Sequence, residues 1–129
     1  MIILLDEYIS CEKFSFINSI DEVKDTLSNS TVMLNFDKEL MLYCIQNNIQ
    51  YGVNTQTIKE VIYANGLGAR YILPTNTLLK TSQKLADNYM FDSKIIAKIT
   101  NENEIEKYAI DEIDGVIFYD KLEIDICQK

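Results

Sequence analysis

The chain has 129 residues, 47% of them hydrophobic, which suits one globular domain with a proper core and argues against two. Its formal charge of -8, with no Lys/Arg cluster, argues against nucleic-acid binding, and the absence of histidine removes a conventional zinc site and the Ser-His-Asp and Cys-His arrangements of nucleophilic catalysis. Any chemistry must run on Lys, Tyr, Cys, Asp or Glu.

In chain order, Ile2 to Leu5 reads as a buried opening strand and Phe14-Ser-Phe-Ile as a second. Asp21 begins a short amphipathic helix with Val23 and Leu27 inward. A regular series follows, with strands at Thr31–Asn35, Tyr51–Asn54, Arg70–Pro74, Lys94–Ile99 and Gly115–Tyr119 recurring about every 20 residues, as a parallel sheet of strand–helix units requires. The helix Lys38–Asn48 repeats Leu40, Met41, Cys44 and Ile45 at helical spacing, which makes Cys44 a core residue. The next carries Ile58, Val61 and Ile62 and stops at Asn65-Gly-Leu-Gly68. Pro74-Thr-Asn-Thr opens a helix with Leu78, Ser82, Leu85, Ala86 and Tyr89 inward, and Glu102–Glu112 forms the last, burying Ile105 and Ala109. Alternation of Leu122, Ile124 and Ile126 suits an edge strand or a docking tail, a means of forming a homo-oligomer or meeting a protein partner.

These elements predict a single α/β domain over residues 1–129, with a mainly parallel open sheet of five to seven strands and helices on both faces. The alternative is half of a (β/α) barrel, since a closed barrel needs about 200 residues or more. Cys11, Cys44 and Cys127 are too few and too scattered for a disulfide framework, Met1-Ile-Ile-Leu-Leu lacks the basic region and length of a signal peptide, and no apolar run approaches a membrane span. A cytoplasmic protein without membrane attachment is expected.

In such folds ligands sit beyond the carboxyl ends of the strands, where helix N-termini converge. That rim carries Asn35 and Asp37, Asn54 and Thr55, Thr75 and Asn76, Thr100 and Asn101, then Tyr119, Asp120 and Lys121. Many of these are residue types that cap helices, and several on one rim can also form a pocket for a small anionic ligand. No glycine-rich phosphate cradle follows a strand, so no nucleotide cofactor is expected, and no other cofactor or metal. Lys98, at a strand end among Ile95, Ile96 and Ile99, is in the apolar setting that activates a Schiff-base nucleophile, with Tyr119 and Asp120 the candidate acid and base beside it. Asn54, Thr55, Thr75, Asn76, Thr100 and Asn101 are the candidate ligand-binding residues.

From Tyr51 to Phe118 the order of features resembles the barrel of the keto-deoxy-phosphogluconate aldolase family. The similar words are Gly52-Val-Asn-Thr55, Ala64-Asn-Gly-Leu-Gly-Ala-Arg-Tyr-Ile-Leu-Pro74, Glu104-Ile105 and Asp114-Gly-Val-Ile-Phe118. The resemblance implies a (β/α) barrel architecture and a lyase acting on a keto acid or sugar phosphate. At the position where that family carries its Schiff-base lysine this chain has Ile117. The resemblance therefore implies a shortened relative without the family's own catalytic amine. The reading that combines these observations is a non-catalytic interaction or small-ligand-binding module, with a Schiff-base lyase as the alternative.

Overall fold

The structure is a computed structural model that describes residues 1–24 and 30–120. Its strands are β1 (Ile2–Leu4), β2 (Phe14–Phe16), β3 (Thr31–Asn35), β4 (Tyr51–Thr55), β5 (Tyr71–Pro74), β6 (Lys94–Ile99) and β7 (Gly115–Phe118). The helices are α1 (Ile20–Lys24), α2 (Lys38–Gln46), α3 (Ile58–Gly66), α4 (Leu79–Asn88), entered through a 3-10 turn at Asn76–Leu78, and α5 (Glu104–Ile110). Leu27 and the expected tail strand around Leu122, Ile124 and Ile126 lie outside the described residues.

All seven strands form one parallel sheet in the order β1-β7-β6-β5-β4-β3-β2. From β2 to β7 each strand is laid beside its predecessor. Right-handed crossovers repeated in one direction put every helix on the same side. The packing agrees: Val23, Leu40, Met41, Cys44, Val61, Ala64, Leu79, Ala86 and Tyr108, from all five helices, share one core with Val32, Leu34, Tyr51, Val53, Ile72, Ile95, Ala97 and Val116 of the strands. Of the two arrangements expected from the sequence, the structure takes the half-barrel; helices cover one face of the sheet, not both.

The other strand face holds a second apolar cluster of Leu4, Phe14, Met33, Tyr71, Leu73, Ile96 and Ile117, to which no helix contributes. Contacts across it measure the curl. The rings of Phe14 in β2 and Tyr71 in β5 lie 6.0 Å apart, and Asn54 Nδ2 in β4 is 3.2 Å from the hydroxyl of Tyr119 just beyond β7. Strands three places apart on a flat sheet would be separated by about 14 Å. The sheet therefore rolls around an interior that is filled by its own side chains. Packing is close at Gly52, where a Cβ would come within 2.5 Å of Met33 Sδ and 3.3 Å of Tyr71 Cβ, so a larger residue would have to displace the Met33 side chain. The free edges are β1 and β2, which do not pair with each other.

Helix ends follow local chemistry. Asp37 accepts hydrogen bonds from the N–H groups of Glu39 and Leu40 to start α2, and Thr57 accepts from Glu60 N–H to start α3 while the Glu60 carboxylate accepts from the N–H of Gln56, the residue before the cap. Gly68, at φ +78°, turns the chain out of α3 as expected from the glycine pair. Cys44 is fully buried among the α2 core residues, and burial pushes its thiol up to about 11. Some expected helix faces differ. Tyr89 is exposed because α4 ends at Asn88, and Ala109 is exposed because α5 turns Tyr108 inward instead. Among the described residues no helix is long and apolar enough to cross a membrane.

Candidate functional site

The carboxyl ends of the strands carry a polar cluster at one end of the filled interior, its mouth. Strand alternation decides which rim residues reach it. In β4, Tyr51 and Val53 belong to the helix-facing core, so Thr55 turns the same way and is buried there, its hydroxyl without a hydrogen-bond partner. Asn54 has the opposite parity and faces the interior. Its amide nitrogen donates to Asn35 Oδ1 at 3.1 Å and to the Tyr119 hydroxyl at 3.2 Å. With both N–H groups engaged, the carbonyl Oδ1 is enclosed and has no donor.

Lys98 occupies the same mouth. In β6, Ile95, Ala97 and Ile99 face the helices while Ile96 joins the interior cluster, so Lys98 projects inward above Ile96. Its ammonium lies 5.1 Å from the centre of the Tyr119 ring, and burial lowers its pKa from the ordinary 10.5. Among the described residues no carboxylate pairs with it. The register between β6 and β7 sets Lys98 directly opposite Ile117, the position at which the aldolase resemblance would put its amine. Asp120, half-buried next to Tyr119 in the chain, also has an enclosed oxygen, Oδ1, without a donor among the described residues.

Other candidates lie apart from this cluster. Thr75 is half-buried at the start of the 3-10 turn, makes no side-chain cap, and donates its N–H to the carbonyl of Thr55. Asn76 is exposed. Thr100 and Asn101 are exposed at the entrance to α5, where their N–H groups donate to the Glu104 carboxylate at 2.9 and 3.1 Å. The mouth thus gathers Asn54, Lys98, Tyr119 and Asn35; Asp120 adjoins it in the chain, and Lys121 lies outside the described residues.

Sequence reasoning missed the opposite end of the interior. There Glu12, in the loop before β2, accepts hydrogen bonds from Tyr71 Oη at 3.0 Å and Thr31 Oγ1 at 3.1 Å and pairs with Arg70 Nε at 3.4 Å. Arg70 also reaches Gln50 Oε1 at 2.7 Å and the Tyr71 hydroxyl at 3.1 Å. This network closes the amino-terminal end of the interior. Its only sequence signal is a charged residue at each of two distant strand entries.

An open groove of about 320 Å3 lies between α4 and the turn after α5, lined by Lys80, Gln83, Lys84, Asp87, Asn88, Asp111 and Glu112 and by none of these residues. Its polar walls satisfy one another: Gln83 donates to Asp87 and accepts from Asp114 N–H, and Lys80 pairs with Asp111 at 3.7 Å. The mouth is the better candidate because its polar groups are left incomplete. Comparison with known protein families and with curated proteins finds no match for this chain.

Proposed function

We propose that the chain is a small-ligand-binding module that holds a small anion in the mouth of the half-barrel, with Lys98 as the counter-charge. The observation that carries this reading is a half-buried ammonium with no carboxylate partner among the described residues, in a chain with a large excess of acidic groups. Desolvating an unpaired cation is costly, and a bound anion would offset that cost. Asn35, Asn54 and Tyr119 supply hydrogen-bonding groups around it. Thermal-shift and calorimetric titration with small carboxylates and phosphorylated sugars test the reading. Stabilisation is expected with at least one such anion and should be lost in Lys98→Met; no shift with any of them would sink it.

A second reading is a lyase acting on a keto acid or sugar phosphate through an imine on Lys98. It is favoured by the lowered pKa, which leaves more of the amine unprotonated, and by the location of Lys98 opposite Ile117. On this view the kinship with keto-deoxy-phosphogluconate aldolases is one of architecture, with the amine on the neighbouring strand. The amine nitrogen would add to the substrate carbonyl carbon and water would leave. Borohydride in the presence of small keto acids should then fix a secondary amine on Lys98, and an unlabelled Lys98 would remove this reading. Self-association, in a cytoplasmic setting, belongs to the same proposal, since β1 and β2 offer unpaired edges; light scattering that reports a strict monomer would count against that part.

A further inference from the structure

Every strand from β2 to β6 is followed by a helix on the outer side of the half-barrel before the next strand is laid down. The strand β1 lacks one. Residues 5–13 carry the chain from β1 to β2 without a helix, so no crossover covers the outer face at this end of the sheet. Ile3 stands on that face, opposite Val116 of β7 in register. Val116 is fully covered, whereas Ile3 is half-buried at the margin of the same core.

What covers this face follows from where the chain goes next. Each step from β2 to β7 moves in one direction, and the position beyond β7 is β1, so a helix that leaves β7 by the same right-handed path lies over β7 and β1. The chain does leave β7 in a helical turn, at Tyr119 and Asp120. Residues 121–129 follow, about 14 Å long as helix against about 10 Å for the three residues of β1. At helical spacing Leu122 and Ile126 fall on one stripe, flanked by Glu123 and Asp125. A returning strand on the free edge of β1 meets an obstacle instead, because the Leu5 N–H at its mouth end already donates to Cys11 Sγ at 3.3 Å. We propose that residues 121–129 dock on the outer face of β1, with Leu122 and Ile126 against Ile3, and supply the helical cover that this end of the sheet lacks. The inference goes beyond the ligand reading and stands independently of it. It leaves β2 as the edge for self-association. Since Tyr119 and Asp120 join β7 to the segment, its seating also holds the Tyr119 ring over Lys98.

The experiment is disulfide trapping in the full chain. Cys11→Ser and Cys127→Ser remove two thiols, and Cys44 stays because it is fully buried. In that background Ile3→Cys is paired with Ile126→Cys, and a control pairs Ile126→Cys with Leu42→Cys on the exposed side of α2. Mild oxidation is expected to join positions 3 and 126 within one chain about tenfold faster than positions 42 and 126, as read by peptide mapping. Equal rates for the two pairs, or no bond between 3 and 126, would overturn the proposal. A bond that forms only between two chains and slows on dilution would overturn it too, and would give the face to a second copy. Hydrogen exchange of residues 2–5 checks the same contact without a substitution in β1, by comparing the wild-type chain with one that stops after Asp120. Exchange is expected to be about tenfold faster in the shortened chain, with new binding of an apolar dye; unchanged exchange and no dye would count as decisively against the docking.

Discussion

At the amino-terminal end of the half-barrel interior one carboxylate, Glu12, gathers an arginine, a tyrosine and a threonine, while at the carboxyl-terminal end one ammonium, Lys98, meets only the face of a tyrosine. Both ends lie on the same curled sheet and both use a tyrosine hydroxyl at about 3 Å from a polar partner. The difference is completeness. At the amino-terminal end, which is the floor of the interior, Glu12, Arg70, Tyr71 and Thr31 complement one another, which ties the loop before β2 across to β5 and holds the roll of the sheet. At the mouth the Lys98 ammonium has no carboxylate partner and Asn54 Oδ1 no donor among the described residues, an arrangement that adds nothing to the stability of the protein.

Removing charge from the two ends should therefore change stability in opposite directions. Glu12→Ala strands Arg70, Thr31 and the Tyr71 hydroxyl together, and is expected to lower unfolding free energy by about 2–3 kcal/mol in chemical denaturation, without changing ligand affinity at the mouth. A loss below about 0.5 kcal/mol would mean the floor is solvated and the comparison wrong. Lys98→Met removes an unpaired, half-buried charge and keeps the aliphatic bulk, so the ligand-free variant should gain about 1 kcal/mol.

Titration sharpens the same contrast. Burial lowers Lys98 below 10.5, so between that lowered value and 10.5 the unfolded chain binds more protons than the folded one. The penalty is present in full at lower pH and is relieved as pH rises through this window. Wild-type stability minus that of Lys98→Met should accordingly climb with alkaline pH; a flat difference would show the amine to be solvated. Tyr71, at the floor, works the other way. Desolvation first, with the Glu12 charge adding to it and Arg70 opposing, raises its pKa from 10.0. The folded chain keeps that proton longer than the unfolded one, so its contribution is present below pH 10 and is lost as pH rises past its raised value. The smallest effect belongs to the outlying rim. Asn76→Ala and Asn101→Ala should each alter stability by no more than about 0.5 kcal/mol and leave mouth binding unchanged; loss of ligand in either would extend the site across the rim.

The strand–helix series was legible because its strands are short, mostly apolar runs bounded by polar turn residues, and because Asn65-Gly-Leu-Gly68 punctuates it. What hid the mouth is the same property. When both faces of a sheet are apolar, parity carries no label, so Asn54 and Thr55 look alike although one faces the interior and the other the helices. Lys98 could be singled out from its apolar neighbours, but its company could not, since Tyr119 and Asn54 meet only through a curl that local sequence does not encode. The floor was hidden for a different reason: Glu12 and Tyr71 are 59 residues apart, and neither belongs to a motif. Capping residues, by contrast, act within a turn, and Asp37 was found where its type and position suggested.

The strand order also sets a timetable for assembly. From β2 to β7 each strand can add to one already made, but β1 has a single neighbour, and Ile2 must wait for Gly115. The close approach there is strict, since any side chain at residue 115 would press on the carbonyl of Ile2. Of the seven strands of this sheet, the earliest in the chain is thus the last to be paired, with its apolar residues unshielded while the others are laid down. The β1–β7 seam is then the natural place for folding of the sheet to finish.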